Sequence, residues 1–472
     1  MTSEAQEEMI DKLENMIATT MAQMKIPGLS LALIKDDRVI YARGFGARNL
    51  KENIPSTPNT LYGVGSVTKS FTALGIMQLA EKGKLDVQDP VSKYVPFKLG
   101  LEGNPIKIHH LLSHSSGLPA VGASTLPLRF GMEHSWIPMS SWEDFYLHVN
   151  GAQEEIAAEP GKRFFYNNSC YTILGKIIEE LSGMKYEEYV KEMILKPLKM
   201  DKSTFVKEEF EKEEDIMSSY LIRPKEGKVS VEDTDFPFYK FVYAPGGLMS
   251  SVMELSNYLI ANMNGGVFEG TKILDSSMME EMHKIQIETD IFKDIYGMKD
   301  GGRSGYGYGW IIDEDFHGHK LVSHGGNIGV ASAHLAFIPD LKIGIAAAEN
   351  AGQGPVPIFI GALIAMMGKD PEKEMPLFEV RKRLSKLTGK YATYKNISKG
   401  SVVEKNGLLY LESKEGDVET SYPLIPETPS MENYRFHVVP LPGGRIPVEF
   451  TVDESGKVDM YLERNRYHRI GD

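Results

Sequence analysis

The sequence predicts an α+β fold: an antiparallel sheet flanked by helices, an inserted helical subdomain, and a small all-β barrel at the C-terminal end. Three observations predict it. Strand patterns stand at both ends of the first 369 residues with helical patterns between them, the composition shifts over 368–379, and only strand patterns follow. Early and late strands with a helical middle are best satisfied by one antiparallel sheet built from both ends, the helices packed against it. Residues 1–369 are therefore expected as one domain, 370–378 as a linker and 379–472 as an antiparallel β-barrel.

The opening "MTSEAQEEMIDKLENMIATTMAQM" carries apolar residues at helical spacing. "GLSLALIKDD" and "RVIYARGFG" read as strands joined by a polar turn at Lys35-Asp36-Asp37. "TKSFTALGIMQLAEKG" is a helix stopped by Gly83. Residues 121–150 hold Trp136, Trp142 and Phe145 in an irregular setting, as core packing or a pocket wall. "CYTILGKIIEELSG" is an amphipathic helix ending near Gly183, and residues 205–240 are charged and poorly periodic, like an insertion or flap. "GGLMSSVMELSNYLIANMNGG" is helical, with serines where a cap belongs.

Between 306 and 348 the period changes. "YGYGWII", "HKLVSH", "VASAHLAFIP" and "KIGIAAAEN" are short, apolar and bounded by Gly, Pro and Asp, giving three or four strands before a last helix, "VPIFIGALIAMMG". The charged, proline-bearing "GKDPEKEMPLFE" marks the boundary. Beyond it only strand patterns are expected, including an Asn406-Gly407 hairpin, so the tail is a small barrel or sandwich.

Composition narrows the function. The chain has 472 residues, 42% hydrophobic and 25% charged, with a formal net charge of −13. Without a basic block or a Lys/Arg patch interleaved with aromatics, nucleic acid is not an expected partner. No apolar run approaches the roughly 18 residues of a membrane span. The charged N-terminus lacks a signal-peptide pattern, so a cytoplasmic protein with no membrane partner is expected. The single cysteine, Cys170, rules out an internal disulfide framework and a Cys-based zinc site.

Ser66 and Lys69, in "GVGSVTKSFTALG", stand three apart and share one helix face. A hydroxyl beside an amine there is either a nucleophile with its base or a cap with a solvated lysine. The pattern alone is cheap, since Ser182-Gly183-Met184-Lys185 repeats it. Ser66 is better placed, because Gly63 and Gly65 free the backbone before it and the first helical turn favours developing negative charge. Two further groups add weight: Tyr166-Asn167-Asn168, and His324-Gly325-Gly326 at a strand end. Tyr166 can move protons beside a cation, Asn168 offers a donor and an acceptor, and His324 is a donor that can be neutral near pH 7 and is charged only part of the time there. Gly326 lets a substrate backbone lie along the strand edge.

Taken in order, Ser-x-x-Lys, Tyr-x-Asn and His-x-Gly resemble the serine β-lactamase and penicillin-binding-protein superfamily, within it the class C-like, CubicO-type serine hydrolases. "IHHLLSHSSGLP", "PGKRFFYNNSCYTILG", "APGGLMSSVMELSNYL" and "GYGYGW" extend the resemblance over roughly residues 10 to 370. The resemblance implies that Ser66 is the nucleophile of an acyl-enzyme and that Lys69 and Tyr166 share the base work. It implies that Asn168 holds the acyl-side amide, that His324 replaces the family's strand lysine, and that the N–H groups of Ser66 and Asn327 form the oxyanion hole. No metal or cofactor is implied. His109, His110 and His114 are expected as packing beneath the site, and Cys170 as a core residue. The implied activity is hydrolysis of a small peptide, including D-residue peptides, or of an ester. A weak β-lactamase, or a binding protein without turnover, are the alternatives. The C-terminal barrel, lipocalin-like by the same resemblance, is expected to cover the pocket, to join subunits into a homo-oligomer, or both.

Overall fold

The computed structural model describes residues 3–120, 139–225, 228–291, 293, 302–405, 407–415, 418–441 and 443–471. Trp136 and Asn406, singled out above, lie outside them. The chain divides into two compact units, Met1–Gly368 and Lys369–Asp472.

In the first unit, strand patterns from both ends of the chain meet in one sheet. Helix α1 (Ser3–Met24) leads into β1 (Gly28–Lys35), β2 (Arg38–Asn49) and the short β3 (Ile54–Pro55). After the helical middle come β4 (Ile287–Glu288), β5 (Ser304–Tyr306), β6 (Ile311–Phe316), β7 (His319–Asn327), β8 (Ser332–Ile338) and β9 (Ile343–Glu349). The order across the sheet is β4-β5-β6-β7-β8-β9-β1-β2-β3, antiparallel throughout. Nine strands replace the expected five or six because β3, β4 and β5 are pairings of two or three residues, too short to leave a periodic pattern.

Every residue of β8 and β9, and all of β1 except Lys35, is buried. Such strands read as continuous apolar runs because both faces are covered. The covering helices include α2 (Thr68–Glu81), α3 (Asn168–Ser182), α4 (Val252–Met263) and α5 (Val356–Met366). Helices α4 and α5 pack on β9, and α1 packs on α5. Helix α2 is buried on all sides from Thr68 to Leu79, Lys69 included, and packs on α3. The charged stretch 205–240 contains a hairpin, Ser219–Lys225 with Lys228–Thr234. Trp142 and Phe145 meet edge to face at 5.6 Å and belong to the core.

The second unit corrects one expectation. Residues 371–374 form a helical turn, and α6 (Pro376–Leu387) is a helix where only strands were expected. Leu384 and Leu387 join the core of the closed barrel that follows. Its strands are β10 (Gly389–Ala392), β11 (Lys399–Lys405), β12 (Leu408–Glu415), β13 (Val418–Pro426), β14 (Arg435–Val438), β15 (Ile446–Val452), β16 (Val458–Leu462) and β17 (Asn465–Gly471). Each pairs with the next, and β10 pairs with β17 to close the ring, which removes the free edges that an open sheet would expose.

Candidate active site

Ser66 lies in a 3-10 turn (Gly65–Val67) that feeds directly into α2. The turn needs Gly65 at φ +54°, a region that residues with a Cβ avoid. Thr68 Oγ1 donates to Gly65 O at 2.7 Å, and Leu248 N donates back to that hydroxyl at 3.2 Å. One helical turn below the serine, Lys69 is fully buried. Its Nζ stands 2.9 Å from Ser66 Oγ and donates to Pro245 O at 2.7 Å. Burial holds this amine well below the ordinary lysine value. Burial thus favours the form of the amine that has a lone pair to offer a serine proton.

Tyr166 and Asn168 arrive on the other side. Asn167 caps α3 by accepting the Ser169 N–H at 2.9 Å, which sets Tyr166 just before the helix and Asn168 at its first turn. The Tyr166 ring faces Lys69, its centroid 4.8 Å from Nζ. His114, expected only as packing beneath the site, brackets this segment. Its carbonyl accepts Phe165 N–H at 2.8 Å, its Nδ1 accepts Asn167 N–H at 3.1 Å, and its ring lies 4.2 Å from that of Tyr166.

The third group is the end of β7. An ideal Cβ on Gly65 would stand 2.7 Å from Asn327 N, and one on Gly326 would stand 1.9 Å from Val64 O and 2.7 Å from Ser66 N. The backbones of 64–66 and 326–327 are thus in direct apposition, with Ser66 N and Asn327 N among the atoms that meet there. Gly326→Ala should force the two backbones apart and lower kcat on the order of a hundredfold, since displacements near 1 Å are that damaging. Steady-state kinetics with an unchanged far-UV CD spectrum checks this.

His324 departs from expectation. It was expected to meet substrate through its ring, yet the residue is 2% exposed and both ring nitrogens are engaged. Nδ1 bonds Gly325 O at 2.7 Å, so it carries the proton, and Nε2 accepts from Tyr306 Oη at 2.8 Å. Burial and the neighbouring Lys69 push its pKa down to about 3. The ring is neutral across the working range and offers no charge to a carboxylate.

Sequence reasoning missed Tyr306, the carbonyl of Pro245, the Tyr166-bracketing role of His114, and Phe236, whose ring leaves no room for a Cβ on Gly63. "GYGYGW" and "APGGLM" were the available signals, quoted as family segments without roles. Cys170 is buried with its thiol pushed up to about 12 by burial, an unreactive state. Ser182 is the last residue of α3 with Gly183 at φ +72°, and Tyr394 belongs to the second unit and is 72% exposed. A groove of about 330 Å³ lined by Trp142, Lys185 and Tyr243 contains none of the cluster residues. Among the described residues no group of three His, Cys, Asp or Glu could hold a metal ion, and no helix is long and apolar enough to cross a membrane.

Comparison with known proteins places this geometry. Residues 13–361 match the Beta-lactamase family, and residues 371–468 match the Pab87 octamerisation domain family. The chain is similar to the octameric penicillin-binding protein homologue from Pyrococcus abyssi, with TM-score 0.85 and 39% identity over 97% of this chain and 99% of that one. It is 26% identical over 350 residues to Protein flp of Staphylococcus aureus strain MW2, covering 73% of this chain and 64% of that protein. It is 25% identical over 350 residues to Penicillin-binding protein 4* of Bacillus subtilis strain 168, covering 70% and 69%. The chain therefore spans under two thirds of the length of the staphylococcal relative. With a family match over 13–361 and a near full-length structural relative, the chain belongs to the β-lactamase family of serine hydrolases.

Proposed function

We propose that Ser66 Oγ attacks the carbonyl of a small peptide, D-residue peptides included, and that Lys69 and Tyr166 share the proton work. One observation carries this reading: the Lys69 amine is fully buried, held below the ordinary lysine value by that burial, and 2.9 Å from Ser66 Oγ. As the C–O bond to Ser66 forms, the serine proton passes to Lys69 Nζ, directly or through the Tyr166 hydroxyl, which hands its own proton to Lys69 as it takes the serine's. The carbonyl oxygen takes the negative charge between the N–H groups of Ser66 and Asn327. Collapse expels the amine, which receives the proton, and water then releases the acyl group by the same route. Asn168 holds the acyl-side amide, and Gly326 leaves the β7 edge open to substrate backbone. His324 supports that edge through Tyr306 and Gly325 rather than through charge.

The neutral His324 favours substrates without a carboxylate at that subsite, and so peptides or esters over β-lactams. We assign the chemistry to residues 1–369 and assembly to 379–472, with 370–378 between them. A homo-oligomer built through the C-terminal barrel is supported by the octamerisation-domain match and by the octameric relative.

The test is a turnover panel on the purified protein beside Ser66→Ala, with a D-aminoacyl p-nitroanilide, an internal D-residue peptide, a short-chain p-nitrophenyl ester and a chromogenic cephalosporin. The expected result is Ser66-dependent amide cleavage that favours D-residues. Turnover of the ester alone would replace the peptidase with a carboxylesterase of the same mechanism, and silence across the panel would favour a binding protein.

A further inference from the structure

Asn327, Ser332 and Glu349 stand side by side across β7, β8 and β9, in register Asn327 to Ser332 and Ser332 to Glu349. Glu349 is fully buried, an expensive place for a carboxyl group. Burial raises its pKa while its donors pull the other way. Those donors all come from one small region. Oε2 accepts Ala351 N–H at 2.7 Å, and Oε1 accepts Gln353 N–H at 2.7 Å, Gly354 N–H at 3.3 Å and the Ser332 hydroxyl. The chain after β9 is thereby wound round its own last side chain, with Gly352 and Gly354 both at φ +63°.

That loop reaches the reacting atoms through one residue. Gly352 O accepts Asn327 Nδ2–H at 2.7 Å, and Asn327 Oδ1 accepts Gly329 N–H at 2.7 Å. An ideal Cβ on Gly352 would stand 2.4 Å from Gly329 C, so the loop and the β7–β8 turn touch without slack. The Asn327 side chain pins the strand end to the loop, while its backbone nitrogen lies against the serine turn, 2.7 Å from where a Cβ on Gly65 would stand.

From this juxtaposition we infer that Glu349 is a positioning residue for the oxyanion hole, acting through the 351–354 loop and the Asn327 side chain on the Asn327 N–H. The inference rests on the serine-hydrolase reading above. A carboxylate is suited to the task because, when ionised, it only accepts and so gathers several N–H groups at one point. Glutamine at this position would turn an N–H group toward Ala351 N–H, losing one anchor and loosening the loop.

The test is a double-mutant cycle in the full-length protein with Glu349→Gln, Asn327→Ala and the pair, and Ser66→Ala run beside them. Each is measured for kcat, KM, melting temperature and inhibition by an arylboronic acid, whose tetrahedral adduct on serine occupies the oxyanion hole. Each single change should lower kcat about ten- to a hundredfold and weaken boronate inhibition in proportion, because an N–H donor moved by a fraction of an ångström stabilises the oxyanion less. KM should stay within about twofold, and the double variant should be little worse than the poorer single one, because the two residues act in series. A Glu349→Gln protein that melts earlier but keeps its kcat and boronate affinity would overturn the inference, as would losses that multiply in the double variant. Full turnover in Ser66→Ala would instead bring down the hydrolase reading itself. Should Glu349→Gln fail to fold, Ser332→Ala takes its place in the cycle, since it removes the hydroxyl that meets the same carboxylate.

Discussion

Ser66→Ala is expected to lower kcat by roughly a millionfold, the scale found when a nucleophile is removed from an intact constellation. Only one oxygen is lost. Lys69 keeps its bond to Pro245 O, Thr68 keeps its bond to Gly65 O, and the 3-10 turn keeps its backbone. The melting temperature should therefore barely move. Thermal unfolding beside single-turnover kinetics separates a missing nucleophile from a damaged fold, and turnover within tenfold of the parent protein would contradict the assignment.

Lys69→Met should lower kcat by about three to four orders of magnitude, the reach of a positioned general base, and yet raise the melting temperature at neutral pH. Burial holds the folded amine well below 10.5, whereas the unfolded amine titrates near that value. Between these two values the folded state binds fewer protons than the unfolded state, so stability rises with pH. At neutral pH the native protein thus carries a penalty that methionine, similar in length and apolar, does not. The gain from the substitution should shrink as the pH climbs toward 10.5, where the unfolded amine also loses its proton. Melting curves at pH 7 and pH 10 check the sign. A loss of stability at pH 7 would mean that the lysine is held as a cation by partners the burial argument omits.

The parts of this account that were legible in the sequence are those written in local patterns. The short apolar runs in "GLSLALIKDD" and "KIGIAAAEN", bounded by turn residues, placed two strands, β1 and β9, that turn out to be neighbours, although more than 300 residues separate them. The order of Ser66, Tyr166 and His324 carried the family, because three cheap motifs in one sequence order are not cheap together. Helix α6 was also written there, with Leu377, Val380, Leu384 and Leu387 at helical spacing. It was overlooked because the charged residues around them read as a linker.

What was not legible depends on distance in sequence. The hydroxyl that meets His324 Nε2 belongs to Tyr306, eighteen positions earlier, and the carbonyl that holds Lys69 belongs to Pro245, 176 positions away. Neither spacing has a period to detect. His324 was expected as a partial cation because an isolated imidazole is one near pH 7, and its burial on β7 reverses that. Glu349 read as the polar end of a strand. Its value as an anchor appears only when the four donors around it are located.

The central claim, that chemistry passes through a covalent ester on Ser66, is tested most directly by intact-mass spectrometry with peptide mapping. The protein would be quenched in acid during turnover of a slowly deacylated p-nitrophenyl ester. The account predicts a single acyl adduct on the peptide containing Ser66, formed with a stoichiometric burst of p-nitrophenol and missing from Ser66→Ala. An adduct on another residue, or steady turnover with no adduct and no burst, would contradict it.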